Sequence, residues 1–458
     1  MRVLPARPLA PPNAAPPRLP CMQSAGFIRV SNGRFVGDDC QEFHFHGWNG
    51  WSLLKRATND PGFITAKFKA AQAANLNGEC GQDKADRPLM RFFLADDDTG
   101  PVLQTAPGVF DESVALTLDW LFAEAANYGI KLTPVFMNTW KKANGIPQFE
   151  QWCGTASSKT QPRPDIDPRS SLDINNRLQT PYDWLMSDTC RQQASAAWAA
   201  YPHQLDRARA FLSALQSVDP NHMVTTGAEG FFDVDTDAAS AASNPNDSTQ
   251  WGNRSGQDFR ANHAHPDIDY AVLHMWPDNW LKGDSDTAWG RQWIDAHTQA
   301  RGRAQGAGRK ACLPSHPLPR GCCDVAAALG KPLVVEEFGK EATEGTISSV
   351  RDPWYEMVNS AVDDSQVNSG PLRAALFWQW DSEDRPRSKP DNSVFQRDST
   401  FKQYIAPFAA KQAARAGDPP VAGCTPRTSA APAAAPSDAP VQSFSGAGRK
   451  LRVAEAEV

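Results

Sequence analysis

The run PLVVEEFG at 332–339 decides how the rest of the chain is read. It is short, apolar and β-branched, and it ends on carboxylates, as a buried strand does when its last residues reach a site. Working outward, the same form recurs. RAALFWQW (373–380) and YAVLHMW (270–276) flank it, and HMVTTGAEG (222–230), KLTPVFMN (131–138), LMRFFL (89–94) and EFHFHGWN (42–49) precede them. Each run ends in polar or aromatic residues: Trp48 and Asn49, Arg91, Asn138, Glu229, His274, Glu337 and Trp378. Helical patterns lie between the runs. In 111–128, Val114, Leu118, Leu121, Phe122 and Ala125 fall at helical spacing, with Asp111 and Glu112 at the start and Gly129 at the end. In 203–218, Leu205, Ala208, Phe211, Leu212 and Leu215 repeat the pattern, and Asp219-Pro220 stops it. Repeated βα units with chemistry at the strand ends predict an α/β fold of the (β/α)8 TIM-barrel type.

The spacing also predicts that the barrel is incomplete. Asn49 to Arg91, Arg91 to Asn138, Glu229 to His274 and Glu337 to Trp378 each span roughly one βα unit of about 44 residues. Asn138 to Glu229 spans about two such units, yet 141–180 is polar and rich in Pro, Ser and Asp. The helix read over 181–200 runs almost directly into the one at 203–218, so the fourth strand is not found. His274 to Glu337 is too long, and the excess falls on 301–324, RGRAQGAGRKACLPSHPLPRGCCD, which has no periodicity and reads as an irregular insertion. The expected organisation is a disordered Pro/Ala-rich segment over 1–24, a barrel over 25–412 and a disordered low-complexity tail over 413–458.

Composition narrows the function. The 458 residues carry a formal charge of −6, which disfavours a nucleic-acid partner. No apolar run reaches about 18 residues, so no membrane span is expected. The 15 Trp, many beside Asn, Asp, Gln or His, suit flat amphipathic ligands such as sugars. The nine cysteines form no CxxC pair, and no His cluster sits at zinc spacing. Residues 1–20 hold seven prolines and no apolar core, unlike a conventional secretory signal.

PLVVEEFGK, HMWPDNW, LQTAPGVFDE, SVDPNHMVTTGAEGFF and LFWQW, in that chain context, resemble glycoside hydrolase family 5, in particular its plant and fungal endo-β-1,4-mannanases. The resemblance covers roughly 25–410. It implies a retaining mechanism in which one carboxylate attacks the anomeric carbon and a second carboxyl handles the proton. Glu337 matches the nucleophile, and Arg91 the arginine beside it. His274 and Trp276 match a His-x-aromatic pair that commonly ends in Tyr, so Trp276 is expected to forfeit a hydroxyl hydrogen bond to the nucleophile while keeping a stacking wall. Trp378 matches the platform under the sugar, and Glu229 a carboxylate near its hydroxyls. Asn49, Asn138 and Trp140 are candidate substrate-binding residues. Strand alternation is expected to turn Glu336 to the other side from Glu337, and Asp278 reads as a turn residue. The family's acid/base sits in an Asn-Glu-Pro motif on the fourth strand. This chain has no Asn-Glu dipeptide, so the acid/base Glu is not found, in the same stretch as the missing strand.

Two functions follow. The first is endo-hydrolysis of a β-mannan-type polysaccharide by a monomer that needs no metal or cofactor, extracellular by resemblance, with an Asn-Glu segment lost near residue 200 and 301–324 gained. The second is a degenerate, non-catalytic barrel that binds a β-glycan.

Overall fold

The computed structural model describes residues 27–74, 76, 89–94, 100–106, 109–135, 221–245, 252–253, 257–280, 286–298, 328–381, 386–387, 389–415 and 418–427. Asn138, Trp140, the helices expected over 181–200 and 203–218, and the insertion 301–324 lie outside them.

The chain begins with a hairpin of β1 (Arg29–Ser31) and β2 (Arg34–Val36). Then come β3 (Gly47–Asn49), α1 (Leu53–Asn59), α2 (Pro61–Ala73) and β4 (Leu89–Phe93). A small hairpin, β5 (Gln104–Ala106) and β6 (Val109–Phe110), leads to α3 (Glu112–Asn127) and β7 (Lys131–Val135). The second half holds α4 (Ala238–Ala241), α5 (Phe259–His263), β8 (Ala271–Met275), α6 (Pro277–Trp280) and α7 (Thr287–Thr298). It ends with β9 (Leu333–Phe338), α8 (Asp352–Val367), β10 (Leu372–Phe377) and α9 (Ala406–Ala414). A π-helical turn leads into each of α8 and α9.

Six strands form one parallel sheet in the order β7-β4-β3-β10-β9-β8. The first strand of the repeat, β3, pairs with the last, β10, which is how a βα repeat closes into a barrel rather than an open doubly wound sheet. The sheet is a (β/α)8 barrel, incomplete over the described residues. The run 222–230 differs from its expectation. It follows β8 without forming a regular ladder with it. The Asp269 N–H donates to the Val224 carbonyl (2.8 Å), and the His274 N–H to the Glu229 carbonyl (3.0 Å). Between them side chains take over, with the Thr225 hydroxyl donating to the Tyr270 carbonyl (2.8 Å).

The helix expected over 111–128 is α3, and its ends follow from local chemistry. Asp111 accepts from the Ser113 and Val114 N–H groups, and Gly129 has φ +70. Val114, Leu118, Leu121 and Ala125 are buried as the spacing predicts, whereas Phe122 is 44% exposed and meets Phe92 edge-on. Gly47 lets β3 and β4 meet: a Cβ there would lie 1.9 Å from the Leu89 carbonyl oxygen.

The N-terminal hairpin plugs one end of the barrel. Phe35, Phe43 and Phe45 pack with Tyr270, Val272, Val334, Ala374 and Leu376, below the residues that carry the polar groups. The packed chain runs past residue 412, where the sequence reading ends the barrel, to Arg427. Residues 418–427 lie on the hairpin as a strap. The Val421 N–H donates to the Cys40 carbonyl (2.9 Å) and the Arg427 N–H to the Asp38 carbonyl (2.8 Å). A Cys40–Cys424 disulfide locks the strap across a separation of 384 residues. Breaking this bond frees a loop of 384 residues. Cys424→Ser is therefore expected to lower unfolding stability by about 2–5 kcal/mol, read as the urea midpoint of variant against parent. An unchanged midpoint would show that the strap adds nothing.

Candidate active site

The site begins with residues at the C-terminal ends of β3, β4, β8, β9 and β10, and with two more from the segment 221–230 and the turn after β8. Asn49 ends β3 and is fully buried. Its Nδ2 donates to the Glu336 carbonyl (3.0 Å), and its Oδ1 accepts from Arg91 Nη1 (3.1 Å). Arg91, also buried, pairs through Nη1 with Glu337 Oε1 and reaches Glu336 Oε2 with Nε at 3.4 Å. Burial alone would pull this guanidinium toward neutrality, but Glu336 and Glu337 outweigh it and raise its pKa further.

His274 stands on the opposite side of the two glutamates. Its Nε2 lies 3.5 Å from Glu336 Oε2, and its Nδ1 lies 3.4 Å from Glu229 Oε2 and 3.6 Å from Glu337 Oε2. Burial works against charging this ring. Glu337, Glu229 and Glu336 overcome it and push the pKa up to about 10, so His274 is an imidazolium at neutral pH. Trp293 Nε1 of α7 donates to the His274 carbonyl (2.9 Å), which ties that helix to the β8 backbone.

Two expectations are corrected. Glu336 does not turn away from Glu337. The β8–β9 register runs from Leu273↔Val335 to His274↔Glu337, leaving Glu336 as an extra residue in β9. A bulge of this kind breaks the two-residue alternation, so both carboxylates face Arg91 and His274. The same cations hold Glu336 below the usual carboxylate range against the opposing effect of its burial. Trp276 does not forfeit a hydrogen bond either: its indole Nε1 donates to Glu337 Oε2 at 3.2 Å, where a tyrosine hydroxyl was the expected donor.

Trp276 also supplies a wall. Its ring meets Trp378 edge-on at 5.6 Å, and Trp378 meets Phe93 at 6.3 Å, giving an aromatic band along the strand ends. Gly339 permits this crowding, since a Cβ there would lie 3.0 Å from the Trp276 ring and 2.9 Å from the Trp378 carbonyl. Phe93, absent from the sequence-derived site, stands under the Arg91 guanidinium at 5.3 Å. Asp278 takes no part in the carboxylate cluster. It pairs with Lys340 and accepts from the Glu341 N–H (2.7 Å), tying α6 to the segment after β9.

Asn49, Arg91, Glu229, His274, Trp276, Glu337 and Trp378 thus converge, with Glu336 and Phe93 added. A carboxylate at a strand end, held by a guanidinium and an indole N–H beside indole rings, suits attack on a sugar ring. Among the described residues no group of three His, Cys, Asp or Glu side chains is arranged to hold a metal ion.

A family model described as GH family 5 beta-mannosidase-like matches residues 179–403. Over these residues, just under half of the chain, the sequence is similar to glycoside hydrolase family 5. Among relatives, mannan endo-1,4-beta-mannosidase 3 of Solanum lycopersicum is 27% identical over 386 residues, spanning 79% of this chain and 84% of that protein. Putative mannan endo-1,4-beta-mannosidase 9 of Oryza sativa subsp. japonica is 29% identical, spanning 77% and 81%. The fold resembles the crystal structure of a family 5 mannosidase from Rhizomucor miehei, with a TM-score of 0.61 at 16% identity over 85% of this chain and 98% of that one. It also resembles the endo-1,4-beta-D-mannanase of Thermotoga petrophila, with a TM-score of 0.50 at 19% identity over 80% and 99%.

Proposed function

We propose that this chain is a family 5 retaining endo-β-1,4-mannanase with Glu337 as its nucleophile. The observation that carries the reading is the holding of Glu337 from two sides. Arg91 pairs with one oxygen, and the Trp276 N–H bonds the other. A carboxylate so restrained stays in one rotamer and ready to attack. In the first step Glu337 attacks the anomeric carbon, the glycosidic C–O bond breaks and a glycosyl ester forms. Water then cleaves that ester with net retention. Trp378 and Trp276 supply faces for the sugar, while Glu229, Asn138 and Trp140 serve its hydroxyls; Asn49, buried with both amide atoms engaged, braces Arg91 instead of meeting substrate. The plant relatives named as mannan endo-1,4-beta-mannosidases support β-mannan as the polymer. The Cys40–Cys424 disulfide supports an extracellular, oxidising location. We take the working form as a monomer without nucleic-acid or membrane partners.

Residues 136–220, where family 5 carries its acid/base, lie outside the described residues, and the sequence has no Asn-Glu pair. That observation favours a second reading, a β-glycan-binding barrel without turnover. One experiment separates the two. A 2-deoxy-2-fluoro-β-mannosyl fluoride needs no proton donor, because fluoride leaves unaided. Incubation is expected to add one fluoromannosyl unit to the intact mass, mapping to the peptide containing 332–339, and Glu337→Gln is expected to abolish the adduct. Binding of β-mannan with neither adduct nor hydrolysis would establish the non-catalytic barrel instead.

A further inference from the structure

Glu336 is the least exposed carboxylate of the cluster, at 1%, and the retaining mechanism gives it no step. A lone buried carboxylate is costly unless its charge is met. Glu336 Oε2 faces Arg91 Nε at 3.4 Å and His274 Nε2 at 3.5 Å. Those two cations also face Glu337, Arg91 through Nη1 and His274 through Nδ1. Arg91 therefore turns a separate nitrogen to each glutamate, while His274 turns Nε2 to Glu336 and Nδ1 to Glu229 and Glu337, and the bulge in β9 brings both glutamates within reach of both cations.

We infer that Glu336 is a positioning residue, whose buried carboxylate draws on Arg91 and His274 from behind and so sets how the two cations meet Glu337. The reason is electrostatic. Glu337 must give up negative charge as its bond to the anomeric carbon forms, so every cation that binds the free carboxylate more tightly than the ester raises the barrier. Two cations with their charge turned wholly toward Glu337 would hold it in its resting state. Glu336 draws part of that attraction backward through Arg91 Nε and His274 Nε2. The Asn49 amide bonds both the Glu336 carbonyl and Arg91, so the arrangement cannot simply rotate away.

The inference rests on the nucleophile reading of Glu337, and its test is Glu336→Gln, which keeps the shape and removes the charge. The charged and titratable groups around His274 are Glu336 and Glu337 from β9, Glu229 from the segment before β8 and Arg91 from β4. Tyr270 on the strand leading into β8, and His263 of α5, also interact with the cluster. Losing one of three carboxylates weakens the hold on the imidazolium, so its charge is lost at lower pH. For Glu336→Gln the expected result is a kcat on β-mannan lowered by about tenfold or more with KM little changed. The basic limb of the pH profile is also expected to move down by about one pH unit. Glu336→Asp, which keeps the charge, is expected to leave the basic limb near its parent position. A parental kcat in Glu336→Gln overturns the inference, and so does a lower kcat with an unmoved basic limb, which marks a merely structural role. Should Glu336→Gln fail to fold, ring ¹⁵N NMR of His274 in the parent chain reads the same arrangement. Protons on both nitrogens through about pH 8 support it, and loss of the Nε2 proton below about pH 7 overturns it. Fluoromannosyl labelling of the parent chain keeps this outcome separate from the Glu337 reading: absence of the adduct sinks that reading whatever Glu336→Gln does.

Discussion

Arg91→Met is expected to destroy most of the activity and to weaken the fold at the same time. Arg91 is 3% exposed and is the guanidinium shared by Glu336 and Glu337. Removing it leaves two buried carboxylates facing one imidazolium, and breaking a buried ion pair from one side destabilises by about 3–5 kcal/mol. Glu337 also loses the contact that fixes its rotamer for attack. Loss of this preorganised charged donor is expected to lower kcat by about 10²–10³-fold. Arg91→Lys keeps the charge without the planar fork, so it is expected to recover stability more than activity. Urea unfolding and steady-state kinetics on the same preparations check both. A near-parental rate in Arg91→Met would remove Arg91 from the mechanism and leave it as a buried strut.

The second large effect is on stability against pH. His46 is buried between the rings of Phe377 (5.9 Å) and Phe408 (5.1 Å), and burial holds its pKa down at about 4. His263 is pushed down to about 3, chiefly by burial, with the Phe259 carbonyl pulling weakly the other way. Unfolded imidazoles titrate at about 6.5. Between about pH 6.5 and 4 the unfolded chain binds these two protons and the folded chain does not. Each such proton lowers stability by about 1.4 kcal/mol per pH unit as pH falls. His274 acts in the opposite sense. Its folded pKa of about 10 lies above the unfolded value, so its contribution is complete below about pH 6.5 and is lost as pH rises toward 10. Urea midpoints measured across pH 4–9 are expected to fall on both sides of a maximum near neutrality. His46→Phe should make the acid side less steep by the share of one proton, since an aromatic ring of similar size keeps the packing and removes that proton site while the other buried imidazoles remain. An acid limb unchanged in that variant would show that His46 does not contribute to it.

The strand-end rule found most of the site because it depends only on chain direction. Once β3, β4, β8, β9 and β10 are parallel, Asn49, Arg91, His274, Glu337 and Trp378 must gather on one side. Glu336 escaped it because alternation assumes an unbroken register, and the bulge between Val335 and Glu337 has no marker in EEFG. Trp276 was identified as an aromatic but not as a donor, since the direction of an indole N–H depends on the packing of Trp378 and Gly339 around it. The run 222–230 has strand composition, yet the side chains of Asp269 and Thr225 replace its ladder bonds, a tertiary substitution that periodicity cannot register. The strap was missed because 418–427 is poor in apolar residues. It is held by backbone bonds and one covalent link rather than by burial.

That strap has a practical consequence for handling the protein. Phe27 leads into the hairpin and Arg427 ends on it, so both ends of the described chain leave from one corner, at the floor of the barrel and away from the catalytic rim. A tether attached at either end would therefore anchor the molecule to a solid support with its open face outward. Two tethers at once would pull on the same disulfide-bound knot, and the force would bypass the sheet that carries Glu337.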